Sequence, residues 1–422
     1  MTQLAATRSD ARPRTLVQSW LRARVLRRLE GLRSGALVVR EGDAETMVGN
    51  AQGPLGPVTI EVMDGAFWKA VAFGGSLGAG ESWVEGHWTC VEPARLVRLF
   101  VRDREVLDGV ESGLARLTQP LARLVHWCNR NHRSGSRRNI AAHYDLGNDF
   151  FSLILDPTMT YSSALFASEQ VSLEQAQQAK LERLCNKIAL GPADRLVEIG
   201  TGWGSMALCA AGRFGAHVTT TTISRRQAQV ARERIATAGL GDRITLLEQD
   251  YRDLQGTFDK LVSVEMVEAV GHQFLPGYLA KCSSLLRPGG AMVLQAITLA
   301  DQYYAAALRS VDYIQKHIFP GSFIPSVTAL VDAATKATDL RLFHLENIGD
   351  HYAETLRRWR IALRERWDDA LELGYPASLL RAYEWYFAYC EGGFAERHLG
   401  VCQMVFVKPG SRLAVADLPA LR

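Results

Sequence analysis

One stretch, Leu196-Val197-Glu198-Ile199-Gly200-Thr201-Gly202-Trp203-Gly204-Ser205-Met206, constrains this chain more than any other. Residues suited to a buried strand run into glycines at alternate positions, and the sequence then turns helical. Glycine takes unusual dihedrals and lets backbone approach a ligand closely. The helix behind it opens with free N–H groups. The spacing is G-x-G-x-G, with Glu198 two residues ahead of it, and not the G-x-G-x-x-G of dinucleotide folds. A strand–helix turn that holds no ligand is the plain alternative.

The surrounding sequence supports the cofactor reading. From residue 139 onward, helical and strand patterns alternate, with strands expected at Arg195–Ile199, His217–Thr221, Ile244–Glu248, Leu261–Val264, Ala291–Ala296 and Val401–Lys408. This alternation predicts a largely parallel sheet with helices on both faces. The second strand ends in Thr222-Ile223-Ser224-Arg225-Arg226-Gln227, where hydroxyl and amide groups replace the acid that many nucleotide folds set against a ribose. After the third comes Gln249-Asp250-Tyr251-Arg252-Asp253, a carboxylate and an aromatic suited to an adenine edge and face. In class I methyltransferases a loop of the Glu198–Gly204 kind holds the amino-acid part of S-adenosylmethionine.

Upstream, residues 14–33 place Leu16, Trp20, Leu21, Val25, Leu29 and Leu32 at helical spacing with arginines between them. Such a basic amphipathic helix suits an anionic bilayer surface, or packs on its own domain with its arginines outward. Residues 1–40 hold nine arginines against Asp10 and Glu30, and residues 112–144 hold six arginines and no acid, although the whole chain is only +3. Two basic patches on a near-neutral protein point to an anionic partner. Within 35–91, short runs (ALVV, VTIEV, FWKAVAF) are expected to be small strands, and 93–128 to be helical. The expected organisation is a smaller α+β domain at 14–128, a linker at 129–138 and an α/β domain at 139–422. Seven scattered cysteines without a C-x-x-C pair argue against a disulfide framework or a zinc site. No long apolar run predicts a spanning helix, so the expected location is cytoplasmic, peripheral on the inner face of the membrane.

Several motifs together resemble the cyclopropane-fatty-acyl-phospholipid synthase family, which includes the mycolic acid cyclopropane synthases. They are Ala142-His143-Tyr144-Asp145, Asn148–Phe151, Leu155–Ser162, Val197–Gly204, Thr222–Gln227, Gln249–Asp253, Ser263–His272, Gln315–Pro325 and Gln403–Pro409. Residues 78–88 also resemble the N-terminal lipid-binding domain of two-domain bacterial members. The resemblance implies a class I S-adenosylmethionine-dependent methyltransferase domain of Rossmann-like fold behind a lipid-binding domain. It implies a homodimer acting on unsaturated acyl chains at a phospholipid surface, with no nucleic-acid partner. Tyr161, Ser162, Glu198, Gly200, Thr201, Gly202, Trp203, Gly204, Thr222, Ile223, Ser224, Gln227, Asp250, Tyr251 and Arg252 would line the cofactor site. Family members also carry bicarbonate beside the reacting alkene. Its ligands map onto Glu268, the Ile297 main chain and Tyr352. Two positions depart: Ser163 stands for a cysteine and Gln295 for a histidine, and the family's Glu-His pair reads Glu268-Ala269.

The chemistry explains why such a site is needed. An isolated alkene has no acidic proton, yet it can attack a sulfonium methyl and leave a carbocation. The enzyme must exclude water and place a base that takes a proton from the new methyl, closing a cyclopropane ring. Ser163 through its O–H and Gln295 through its N–H can still bond an anion. A hydride shift before proton loss would instead give an exomethylene or methyl-branched chain. Glu268 is the expected anchor or alternative base, with Glu391 behind it. His143 is expected to order a loop over the cofactor, His272 to be structural, and Tyr383–Phe394 to wall an acyl channel or form a core helix. An RNA or small-molecule methyltransferase and a non-catalytic lipid-binding paralogue are the competing classes. The first is disfavoured by the absence of a basic stretch interleaved with stacking aromatics.

Overall fold

The computed structural model describes residues 15–111 and 146–414. The Arg-rich 112–144 segment, the 129–138 linker and His143 lie outside the described residues. Chain contacts divide the molecule into two compact units that do not follow sequence order. One takes in the described residues up to 111, with Ser310–Ile318 and Leu363–His398; the other takes in those from 146 to Arg309, with Phe319–Ala362 and the residues from Leu399 onward. The expected boundary at 129–138 thus misses two later returns of the chain to the first unit.

The first unit holds a four-stranded sheet in the order β2-β1-β3-β4, with β1 Ala36–Glu41, β2 Ala44–Gly49, β3 Pro57–Val62 and β4 Trp88–Cys90. Only β1 and β3 are parallel. ALVV and VTIEV form strands as expected, but FWKAVAF opens a helix, Ala66–Val84. Its buried residues Phe67, Trp68, Val71 and Ala72 follow helical spacing, not alternation. The Asp64 side chain accepts from the Ala66 N–H at 2.8 Å and starts the turn. β2 (AETMVG) is largely exposed, so its sequence carries little apolar signal. The helix Ala377–Ala395 belongs to this unit, and its Trp385 ring lies 5.5 Å from Trp83 and 5.4 Å from Trp88. The aromatic stretch Tyr383–Phe394 is therefore a buried helix of the first unit. A Cβ on Gly80 would sit 2.5 Å from the Trp385 indole nitrogen, so glycine is required for this approach.

The first helix, Leu16–Leu29, starts at a capping box between Thr15 and Gln18. It buries Leu21, Val25, Leu26 and Leu29 but leaves Leu16 91% and Trp20 55% exposed.

The second unit holds a seven-stranded sheet in the order β10-β11-β9-β8-β5-β6-β7. Strands β5 Arg195–Ile199, β6 His217–Thr221, β7 Ile244–Leu247, β8 Phe258–Val264 and β9 Leu286–Leu299 run parallel, while β11 Leu399–Val407 and β10 Arg341–Asn347 are antiparallel. All six expected strands are present. β10 escaped because it is a mostly exposed edge strand without a clean apolar face. Val197, Ile199, Leu261, Met292 and Leu294 pack into one buried cluster; Leu196, Val218, Val262 and Val293 pack into another. The order reverses direction beside β5, so the loops after β5, β6 and β8 converge at the carboxyl ends of the strands, where open α/β sheets bind ligands. Among the described residues, no helix is long and apolar enough to cross a membrane.

Candidate active site

β5 delivers the Gly-rich loop. Gly200, Gly202 and Gly204 take φ of 102°, 52° and 92°, a region that favours glycine. The loop is fixed from behind: the N–H groups of Gly200 and Thr201 donate to Thr221 O at 3.1 and 3.0 Å. Thr220 Oγ1 donates to Glu198 at 2.6 Å and lies 2.6 Å from Thr201 Oγ1. Burial pushes the Glu198 carboxyl up to about 8, against the Thr220 hydrogen bond and the charge of Lys180. Arg234 donates to the carbonyls of Trp203 and Thr158 at 2.7 and 2.8 Å. The Trp203 indole donates to Asn148 at 2.8 Å, and its ring lies 5.2 Å from Phe151.

The other residues expected at the cofactor sit close by in the fold. Phe151, Phe319 and Trp359 surround the Tyr161 ring, with centroids 5.2, 6.5 and 5.1 Å away. Ser162 is buried, and its hydroxyl accepts from Lys180 Nζ at 2.7 Å. After β6, Thr222 accepts from Ser224 N at 3.1 Å and donates to Gln227 at 3.2 Å, with Ile223 between them half-buried. Ser224 caps the following helix. After β7, both oxygens of Asp250 accept from the Arg252 guanidinium, at 2.8 and 2.7 Å, and Arg252 lies over the Tyr251 ring. The loop suits an extended ligand: a Cβ on Gly202 would meet nothing within 4 Å, and helix Ser205–Phe214 begins without a side-chain cap. These features fit S-adenosylmethionine.

A second cluster lies beyond β8. Glu268, in the turn Val267–Ala269, accepts the Ile297 N–H at 2.6 Å through Oε1. Its other oxygen is buried and has no hydrogen-bond partner among the described residues. Burial and the nearby charge of Glu265 push the Glu268 carboxyl up to about 8. Sequence reasoning missed Glu265, which is central here. Its Oε1 accepts from Ser163 N at 2.9 Å and Gln295 Nε2 at 2.7 Å, and Tyr352 also hydrogen-bonds to it. Burial pushes its carboxyl up, while Gln295, Lys180, Ser163 and Tyr352 oppose the shift. Lys180 is buried beside it, and burial lowers that amine to about 8. The one signal in the sequence is the E-x-x-E spacing with Glu268, which marks the residue but not its role; in the structure it stands in the turn after β8 with φ of 47°.

This geometry corrects the anion site expected from the resemblance. Ser163 contributes its backbone N–H, while its hydroxyl turns away and donates to Ala164 O at 3.1 Å. The Ile297 N–H is engaged by Glu268, and the Gln295 amide and Tyr352 by Glu265. The donors that would hold bicarbonate already hold carboxyl groups of the chain, and a further anion would face the Glu265 carboxylate. The residues present do not fit bicarbonate. Glu391 lies in the first unit, in helix Ala377–Ala395. His272 is exposed, Met206 and Met292 are core, and Met266 packs against the core.

A sheet of this order with the Gly-rich loop after β5 defines a class I S-adenosylmethionine-dependent methyltransferase. A family model, mycolic acid cyclopropane synthetase, matches residues 131–404, and the chain belongs to that family. The chain is 37% identical over 394 residues to tuberculostearic acid methyltransferase UfaA1 of Mycobacterium tuberculosis, covering 92% of this chain and 91% of that one. It is 35% identical over 363 residues to the cyclopropane-fatty-acyl-phospholipid synthase of Escherichia coli, covering 85% and 91%. Mycolic acid cyclopropane synthase CmaA1, solved with SAH and CTAB, superposes with a TM-score of 0.61 at 28% identity, covering 64% of this chain and 98% of that structure.

Proposed function

We propose that the protein methylates the double bond of an unsaturated fatty acyl chain in a membrane phospholipid, with cyclopropane formation as its first product reading. The observation that carries this is the pairing of the Gly200–Gly204 loop with a buried carboxylate cluster, Glu265 and Glu268, in one compact unit. The names of the relatives, a tuberculostearic acid methyltransferase and a cyclopropane-fatty-acyl-phospholipid synthase, support the substrate class. S-adenosylmethionine, held by the loop and by the residues after β6 and β7, supplies an electrophilic methyl group. The aromatic wall of Tyr161, Phe151, Trp359 and Tyr352 excludes water from a cationic acyl chain. Phe151 and Trp359 pack behind Tyr161, whose ring keeps part of its surface open and would also stabilise positive charge.

A second product is supported by the replacement of the family's cysteine and histidine by Ser163 and Gln295. With a neutral amide in place of a histidine, the cation can shift before it loses a proton, giving an exomethylene or, after reduction by a partner, a methyl-branched chain. Leu16, Trp20 and the arginines of helix Leu16–Leu29 would hold the protein on an anionic bilayer surface. A homodimer is part of the same reading.

The test is incubation of pure protein with S-adenosylmethionine and liposomes of mono-unsaturated phospholipid, followed by mass spectrometry and NMR of the acyl chains. Gain of one CH2 unit with ring protons supports cyclopropanation, and gain with vinylidene protons supports the second product. Cofactor binding without any mass change refutes the acyl-chain reading and favours a lipid-binding paralogue.

A further inference from the structure

We infer that Glu265 is the proton acceptor of the reaction, a carboxylate built into the chain in place of a bound bicarbonate. The inference rests on the acyl-chain reading above. Three residues that the family resemblance places at an anion converge on this one side chain: Ser163 through its backbone N–H, Gln295 through its amide, and Tyr352. They come from three separate segments: the loop after helix Asn148–Ile154, strand β9 and helix Gly349–Glu365.

The direction of the Gln295 amide is also determined. Lys187 can only donate, and it does so to Gln403 Oε1 at 2.7 Å. Gln403 therefore turns its NH2 to Gln295 Oε1, at 2.9 Å, and Gln295 turns its own NH2 to Glu265. A relay from the half-buried Glu346 through the buried Lys187, Gln403 and Gln295 thus ends on a donor aimed at the Glu265 carboxylate. Glu268 accepts from backbone N–H groups alone and has a negative neighbour, whereas Glu265 also accepts from the Gln295 amide and Tyr352, so the charge of the pair rests on Glu265. Glu265 holds φ of 47°, a backbone region unfavourable to any residue with a Cβ. Strain of this kind gathers at functional sites. The residue is enclosed by protein yet keeps part of its surface open, as a cavity-lining group does.

The chemistry balances. The π pair of the alkene forms the new C–C bond to the donated methyl, and the old C–S pair stays on sulfur. The acyl chain then carries one positive charge. Glu265 takes one proton from carbon, and the C–H pair stays on carbon to close a ring or a double bond. The acyl chain becomes neutral and Glu265 becomes a carboxylic acid.

Glu265→Gly separates this role from structural support, because glycine is the natural occupant of that φ and its loss of side chain opens an anion-sized space. Titrated with 13C-labelled bicarbonate and followed by NMR, the wild-type protein should show no saturable binding and Glu265→Gly should bind. That readout needs no lipid, so it decides the anion question even if the acyl-chain reading fails. In bicarbonate-free buffer the wild type should turn over fully. Glu265→Gln should fall by about 100-fold or more, the scale of a lost general base, with S-adenosylhomocysteine affinity unchanged by calorimetry. Added bicarbonate or formate should restore Glu265→Gly. Saturable bicarbonate binding by the wild type, no binding by Glu265→Gly, or full turnover by Glu265→Gln would each overturn the inference.

Discussion

Lys187 Nζ lies 2.7 Å from Gln403 Oε1, with both side chains buried. This contact sets the polarity of two amides and so decides what Glu265 meets. Burial lowers the Lys187 amine to about 8, against its hydrogen bond to Glu346. Gln403→Leu should leave the Lys187 amine and the Gln295 carbonyl without their partner. A loss of about 1–3 kcal/mol is expected, read as a lower urea midpoint at unchanged slope. Turnover should fall further than stability explains, because Gln295 is then free to flip.

Gly200→Ala should damage cofactor binding more than folding. The residue sits at φ of 102°, and a Cβ there would meet Met266 Cγ at 3.2 Å. Backbone strain of this kind costs about 1–3 kcal/mol. Isothermal titration should show S-adenosylhomocysteine binding weakened by roughly ten-fold or more, since each 1.4 kcal/mol is about a factor of ten. Unchanged affinity would remove the loop from the cofactor site.

Stability should depend on pH through Glu268. Burial and the charge of Glu265 raise its carboxyl from the ordinary value of 4.5 to about 8. Between those values the native chain keeps a proton that the unfolded chain has lost. The associated stability is fully present below 4.5 and is lost as the pH rises through about 8. Glu198 shifts in the same direction, also through burial. Glu268→Gln should therefore show a shallower decline of urea midpoint across this window and exceed the wild type at its upper end. Equal slopes for the two proteins would contradict the assignment.

Leu16 and Trp20 should govern attachment to vesicles. Both are exposed on the first helix, and Arg24 lies over the Trp20 ring. Burying one large apolar side chain contributes about 1.5–3 kcal/mol. Trp20→Ser should then weaken sedimentation with anionic vesicles by roughly ten-fold, as such an energy implies. Binding that ignores both this change and added salt would count against a membrane role for the helix.

The sheet of the second unit was readable because β5, β6 and β8 are apolar runs ended by diagnostic loops. β10 was not, since an edge strand facing water carries no period-2 signal. The Ala66–Val84 helix was misread because a short aromatic run fits either period until its burial is known. At the site, the loop glycines could be read from local spacing alone. The role of Glu265 could not, although its spacing from Glu268 marks it, because that role depends on donors brought from three distant segments. Nor could the orientation of Gln295, which is set by Lys187 and Gln403 through contacts the sequence does not display. The resemblance pointed to the Ser163 hydroxyl, whereas its backbone N–H is the group that engages Glu265.

The first compact unit closes only when helix Ala377–Ala395 brings Trp385 against Trp83 and Trp88. During synthesis, its sheet strands leave the ribosome long before that helix does. Non-local pairing of this kind slows folding and leaves apolar surface uncovered in the meantime. A nascent chain cut short before residue 377 would display an open indole cluster, a surface for chaperones to recognise, and the early part of this polypeptide cannot mature ahead of its end.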